Sequence, residues 1–286
     1  MSSDADSRTT PVRDDLVAAT LAARYPGRRA VKGIAHRAVA PTLTLSFAPS
    51  AEARQESELL FGEPFTVYEQ AGGWAWGQAG LDGYVGYAPA AGLTAEVVAP
   101  THVVAAAASH GYPAPDPKRR PLYRLSLGSL VRVTACRDGY AEIAGGGWLF
   151  ARHLAPVGEV EPDYIATARR LLGVPYLWGG RSAAGLDCSG LVQLALGHAG
   201  MACPRDSDMQ ERALGEAVPS GTHEAWRRGD LVFFPGHVGI VTDNGRFLHA
   251  NAFAMMVTEE PLADVLDRAR ASGAGVSAVR RLTQAQ

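Results

Sequence analysis

The stretch Gly185-Leu186-Asp187-Cys188-Ser189-Gly190-Leu191 constrains this chain more than any other. Small residues deliver a cysteine to the first turn of a helix. From Cys188 onward, apolar side chains recur at Leu191, Val192, Ala195 and Leu196, one face of a 3.6-residue period. A thiol at that position meets backbone N–H groups without intrahelical acceptors and the positive end of the helix dipole. Both favour thiolate over thiol. A cysteine that only packs needs neither, so Cys188 is the candidate nucleophile, with a lowered thiol pKa expected.

The partners such a nucleophile requires must come from the rest of the chain. At 286 residues, 47% of them hydrophobic, there is enough chain for two or three small domains with real cores. A formal net charge of −2 and no Lys/Arg run argue against nucleic acid as a partner. No stretch approaches the roughly 20 apolar residues of a membrane span. The polar start Met1-Ser2-Ser3-Asp4 lacks a signal-peptide core, and the odd set Cys136, Cys188 and Cys203 has no CxxC pair. A reducing, cytoplasmic compartment is therefore the expectation.

Residues 1–12 are expected to be disordered, and residues 13–24 to form a short helix with Leu16, Val17, Leu21 and Ala22 inward. Ala38-Val39-Ala40 and Leu43-Thr44-Leu45 are strand-like. Beyond Ser57, Phe65 to Gln70, Trp74 to Gln78 and Tyr84 to Ala88 alternate as short strands, broken at Ala71-Gly72-Gly73 and Leu81-Asp82-Gly83. Aromatic strands joined by Gly/Asp turns point to a small half-open barrel. Pro113-Ala114-Pro115-Asp116-Pro117 fits neither period and is predicted to be a linker. The order of strands and glycine turns then recurs from Gly128 to Phe150, with a turn at Asp138-Gly139, which points to a second copy of one β module.

From about residue 158 the pattern becomes mixed. Asp163 to Leu172 is an amphipathic helix with Tyr164, Ile165, Ala168, Leu171 and Leu172 inward, stopped at Gly173-Val174-Pro175. Strands follow at 231–234 and 238–241, a hairpin at Asp243-Asn244-Gly245, and a return strand at 246–250. A helix at 261–271 and a closing strand at 276–282 complete an α+β domain.

If the hairpin strands pair, His237 and His249 approach one another on one sheet face. Cys188 with His237 is then expected to be a thiolate–imidazolium pair, and His249 can fix the second imidazole nitrogen. The same three residues also make a zinc-type count, although Asp187 and Ser189 supply no obvious further metal shell. His36, His102, His110, His153, His198 and His223 are scattered without partners and are expected at the surface or in packing. Cys136 is expected to be a small side chain near a turn, and Cys203 a packing residue.

Together, Pro175-Tyr176-Leu177-Trp178-Gly179-Gly180, Leu186-Asp187-Cys188-Ser189-Gly190-Leu191, Pro204-Arg205-Asp206-Ser207, Arg228-Gly229-Asp230-Leu231-Val232-Phe233-Phe234 and His237-Val238-Gly239-Ile240 resemble the NlpC/P60 superfamily of papain-like cysteine peptidases. The first part of the chain resembles bacterial SH3-type (SH3b) modules. The resemblance implies a papain-like catalytic domain at 158–286 behind two small SH3-like barrels at 31–112 and 113–157, with an N-terminal extension at 1–30. It implies Cys188 as nucleophile, His237 as base, His249 as third member, and the Cys188 N–H and Tyr176 hydroxyl as oxyanion donors.

Two SH3b modules ahead of such a domain are similar to the γ-D-glutamyl-L-diamino-acid endopeptidases of murein recycling. That similarity implies a monomeric enzyme without metal or cofactor, acting on murein peptides with a free N-terminal L-Ala. Asp206 would face the substrate ammonium, with Asp187 and Ser189 flanking. Tyr84, with Tyr87 as competitor, would come from the first module, and Glu58 or Glu63 would be its acidic companion. A wall-bound hydrolase, and an amidase or acyltransferase of the same fold, stand as alternatives. A binding protein with a dead catalytic fold is disfavoured by the intact Cys/His/His set.

Overall fold

The computed structural model describes residues 6–219 and 225–282, so His223 lies outside the described residues. The chain divides into two compact units, Met1–Val157 and Gly158–Gln286.

The first unit is almost entirely β. Its main sheet has seven strands in the order Gln55–Leu60, Thr42–Ser46, Val85–Pro89, Trp74–Ala79, Pro64–Ala71, Ile34–Ala38 and Leu93–Thr94, all antiparallel. Alternation turns Leu43, Leu45, Leu59, Phe65, Val67 and Ala88 into one core. Trp76 is buried while Trp74 is half-exposed, although residues two apart share one strand face. The second set of strands, at 102–104, 108–111, 123–126, 130–137, 140–143, 148–150 and 154–156, closes over its own core of Val104, Leu125, Val131, Ile143 and Leu149.

Three expectations for this unit need correction. Residues 6–12 are ordered: Val85 N–H donates to Arg8 O at 2.7 Å and the Gln78 amide to Thr9 O at 2.9 Å. No α-helix forms at 13–24. Leu16–Ala18 is instead a strand parallel to Arg29–Val31, followed by a 3-10 turn over Ala19–Arg24. All three strand residues are buried, and consecutive burial suits an extended segment covered on both sides better than a one-faced helix. The proline segment 113–117 is no linker. It lies in the connection of a hairpin whose strands Ala108–Gly111 and Tyr123–Ser126 pair antiparallel, so the second set of strands begins at His102 rather than beyond 112.

The second unit opens with helix α1 (Tyr164–Arg169), capped by Asp163, whose carboxylate accepts from Ile165 N–H and Ala166 N–H. Tyr164, Ile165, Ala168 and Leu171 are buried as expected, but Leu172 lies past the helix end and is 44% exposed. Helix α2 (Cys188–His198) is buried at every residue from Cys188 to Leu196, so it is a central rather than a surface helix.

After helix α3 (Ser207–Ala213) come strands β1 (Glu216–Val218), β2 (Leu231–Phe234), β3 (His237–Val241), β4 (Arg246–Asn251) and β5 (Met256–Pro261). Helix α4 (Leu262–Ala271) and strand β6 (Ala278–Arg281) close the chain. The antiparallel sheet runs β1-β6-β2-β3-β4-β5. Val241, Phe247 and Phe234 pack on Leu262, Val265 and Leu266 of α4. Helix α2 packs on β3 and β4, whose intervening residues Val238, Ile240, Leu248 and Ala250 are buried. The β3–β4 connection turns at Asn244 (φ 57°) and Gly245 (φ 65°), the left-handed geometry that an Asn-Gly pair accommodates. No described helix is long and apolar enough to cross a membrane.

Candidate active site

Sheet register builds the site. Ile240 pairs with Leu248 and Val241 with Phe247. One further step sets Gly239 opposite His249, so His237 is the diagonal neighbour of His249 on the same face. Across the next pair, His249 lies opposite Thr258 and Phe247 opposite Glu260, which makes Glu260 the diagonal neighbour on the other side. Three side chains from three strands thus form one row. His237 Nε2 lies 2.8 Å from His249 Nδ1, and His249 Nε2 lies 2.8 Å from Glu260 Oε1.

This row fixes the protons. Burial pushes the Glu260 carboxyl up, but His249 and Arg268 outweigh it and hold the group below the usual carboxylate range. An ionised Glu260 only accepts, so His249 carries its proton on Nε2 and presents a bare Nδ1. His237 must then donate from Nε2, which leaves its Nδ1 lone pair as the base.

Glycine at 239 makes room for the row. A Cβ there would lie 2.4 Å from the Phe247 ring and 2.8 Å from His249 Cβ.

Cys188 meets the sheet at the residue after His237. The backbone N–H groups of Val238 and Ser189 face its sulfur. The thiol nevertheless runs against expectation. Burial, reinforced by the Asp187 charge, outweighs those N–H groups and pushes it up to about 12. Burial and the neighbouring His249 push His237 down to about 3. His249 is also lowered by burial, against the pull of Glu260. Both shifts favour the uncharged forms, a thiol and a neutral imidazole, over the thiolate–imidazolium expected from the sequence. Helix position helps the thiolate, but desolvation of a fully covered sulfur is the larger effect.

Tyr176 runs beside Leu186, two residues before the cysteine. Burial pushes its phenol up to about 12, so it remains an O–H donor.

Asp187 and Ser189 do other work than flanking a substrate amine. Arg205, 1% exposed, spans the Asp187 carboxylate at 2.9 and 2.6 Å. Gly179 N–H, Gly190 N–H and the Ser189 hydroxyl fill its remaining capacity. Ser189 also accepts from Arg205 at 2.9 Å. Asp187 is thus the cap of α2 and the counter-ion of a buried arginine, and Ser189 completes that lock. Asp206 stands at the head of α3, half-buried.

Tyr84 lies in the first unit, 3% exposed in the cluster with Leu43 and Phe65, whereas the half-buried Tyr87 accepts from Arg13. His36, His102 and His153 bond to Ile34 O, the Thr101 hydroxyl and the Ser109 hydroxyl. Cys136 is exposed, just ahead of the turn at Asp138-Gly139. Among the described residues, no group of three or more His, Cys, Asp or Glu side chains is arranged to hold a metal.

Two roles in the site escaped the sequence reading. Arg205 stands in the Pro204-Arg205-Asp206-Ser207 motif, but its partner Asp187 lies 18 residues away, so its task has no local signal. Glu260 could have been found by carrying the hairpin register one strand further.

Residues 173–269 match the NlpC/P60 family, and residues 45–93 match the bacterial dipeptidyl-peptidase Sh3 domain. The chain carries an NlpC/P60 family domain preceded by an SH3b-like one.

The NlpC/P60 domain contains the whole Cys188–His237–His249–Glu260 arrangement. A γ-D-glutamyl-L-lysine dipeptidyl-peptidase of Bacillus subtilis is 33% identical over 140 residues, 44% of this chain and 46% of the relative. The peptidoglycan endopeptidase RipB of Mycobacterium tuberculosis is 40% identical over 115 residues, 34% of this chain and 46% of the relative. The matches span less than half the length of these curated relatives. A crystal structure of an NlpC/P60 family protein from Bacillus cereus has a TM-score of 0.72 at 22% identity, covering 86% of this chain and 99% of that one, a likeness of fold.

Proposed function

We propose that this protein is a cysteine endopeptidase that hydrolyses the γ-D-Glu–L-diamino-acid bond of murein peptides bearing a free N-terminal L-Ala, as a monomer in the cytoplasm. The carrying observation is the His237–His249 couple next to Val238, whose N–H faces the Cys188 sulfur, in an NlpC/P60 domain that follows a dipeptidyl-peptidase-type SH3 domain. Three unpaired cysteines support the reducing compartment. The strand set at 102–156 is read as a second, divergent SH3-like module and the catalytic domain as papain-like.

The chemistry begins from the neutral pair. As the Cys188 sulfur attacks the γ-carbonyl, its proton passes to His237 Nδ1 and a C–S bond forms. The tetrahedral oxyanion is met by the Tyr176 hydroxyl and the Cys188 N–H. On collapse the C–N bond breaks, and His237 returns the proton to the departing diamino-acid amine. Water, deprotonated by His237, then hydrolyses the thioester and releases L-Ala-γ-D-Glu and the free thiol. His249 and Glu260 stabilise the imidazolium that exists between these proton transfers.

With Asp187 committed to Arg205, Asp206 is the carboxylate assigned to the substrate ammonium. An acylated amine would leave a carboxylate unpaired, so longer peptides are rejected.

The test is mass-resolved hydrolysis of L-Ala-γ-D-Glu linked to meso-diaminopimelate or L-Lys, free and N-acetylated. Cleavage of the free peptide alone, abolished by Cys188→Ala and weakened in KM by Asp206→Asn, is expected. Equal cleavage of the acetylated peptide would assign a wall-hydrolase specificity instead, and cleavage of neither would point to acyl transfer or another amide.

A further inference from the structure

Behind the two histidines lies a charge pair of which the catalytic steps described above use only Glu260. Glu260 gives Oε1 to His249 and Oε2 to Arg268 Nη2, 2.7 Å away. Arg268 belongs to the last turn of α4, where a cation would suit the helix dipole without any further partner. Its guanidinium instead reaches the sheet, and its other side lies 4.5 Å from the ring centre of Phe253, in the β4–β5 connection. Phe253 is 77% exposed, so this ring covers the guanidinium rather than the core. The neighbouring Glu259 belongs to a separate network with Arg169 and Thr242.

We propose that Glu260 and Arg268 are a positioning pair that sets the protonation behaviour of the His237–His249 couple: Glu260 locks the tautomers and supports the imidazolium, and Arg268 limits how strongly that carboxylate is felt. The proposal rests on Cys188 and His237 being the reacting pair. The titratable and charged groups facing the row are Cys188 and Asp187 from α2, Tyr176 from the preceding segment, His237, His249 and Glu260 from the sheet, and Arg268 from α4. Glu260 draws protons towards His249, whereas Arg268 repels them. The two halves of the pair therefore act in opposite directions.

That opposition separates the proposal from a purely structural role. Cys188 is alkylated with iodoacetamide across pH in the full chain and in Glu260→Gln, Arg268→Ala and Arg268→Lys. In this reaction an S–C bond forms, iodide leaves and His237 takes the thiol proton. The wild-type rate rises with pH as His237 loses its blocking proton. Glu260→Gln should lower the plateau about tenfold or more, with the rise displaced to lower pH. Arg268→Ala should displace the rise to higher pH, and Arg268→Lys should restore it.

Displacement of both in the same direction, or of neither, overturns the proposal. If Glu260→Gln fails to fold, the Arg268→Ala and Arg268→Lys comparison decides alone. No peptide substrate is involved. Opposite displacements with no murein cleavage would sink the proposed substrate and keep this pair, while murein cleavage with unmoved profiles would do the reverse.

Discussion

His237 Nε2 and His249 Nδ1 stand 2.8 Å apart beside Gly239, where a Cβ would press on the Phe247 ring and on His249 Cβ. Glu260 on the far side makes His249 an acceptor towards His237, so the third member works by presenting a lone pair. A residue that also presents one should substitute in part. His249→Asn, with its amide oxygen towards His237, should retain clearly more kcat than His249→Ala. The alanine variant should lose about 100-fold or more, with KM little changed. Equal losses in the two variants would show that His249 acts through bulk alone.

The pH dependence follows from the neutral pair. His237 is pushed down to about 3 and the Cys188 thiol up to about 12, and both shifts favour the uncharged form over the neutral range. Resting enzyme should show no thiolate ultraviolet absorbance that disappears on alkylation between about pH 5 and 9. Stability carries the matching sign. A histidine held neutral in the fold binds fewer protons than in the unfolded chain, so its contribution is complete above the unfolded value near 6.5 and is lost as pH falls towards 3. Urea midpoints measured down this window should fall for the wild type and fall less for His237→Gln.

Gly239 is a packing requirement of the site. An added methyl would press on the Phe247 ring at 2.4 Å and on His249 Cβ at 2.8 Å, both within the sheet. Gly239→Ala should cost about 1–3 kcal/mol, as overpacked cores do, and should reduce kcat by displacing His249. Phe247→Leu in the same chain should recover stability by relieving the ring contact but should leave kcat low, because the contact with His249 Cβ remains. Recovery of both together would mean that the ring, not the histidine, transmits the effect.

Much of this was legible in local patterns, and what was missed was non-local. The Cys188 helix, the His237 strand and the Asn244-Gly245 hairpin each announce themselves within a few residues, through period and turn chemistry. The thiol's ionisation did not, because the helix position that favours thiolate is visible in sequence and the coverage that opposes it is not. Leu16–Ala18 misled for a related reason: its apolar run fits helix or strand, and only the distant partner Arg29–Val31 decides. Pro113 to Pro117 signalled a break in period, which a hairpin connection produces as readily as a linker.

Asp187 illustrates how a motif residue can be read for the wrong task. Its neighbour is the nucleophile, but its five donors are Gly179 N–H, Gly190 N–H, the Ser189 hydroxyl and two arms of Arg205. Arg205 is 1% exposed, so removing the carboxylate would strand a buried cation. Asp187→Ala should therefore cost on the order of 3–5 kcal/mol, measured by chemical denaturation, far more than an exposed ion pair is worth. Asp187→Asn keeps one acceptor for the Gly179 or Gly190 N–H and should fall between. Replacing both partners, Asp187→Asn with Arg205→Met, should be less destabilising than Asp187→Ala alone, because no charge is then left unpaired. If the double variant were instead the sum of its parts, the pair would be two independent contacts, and Asp187 would again be open to a role at the substrate.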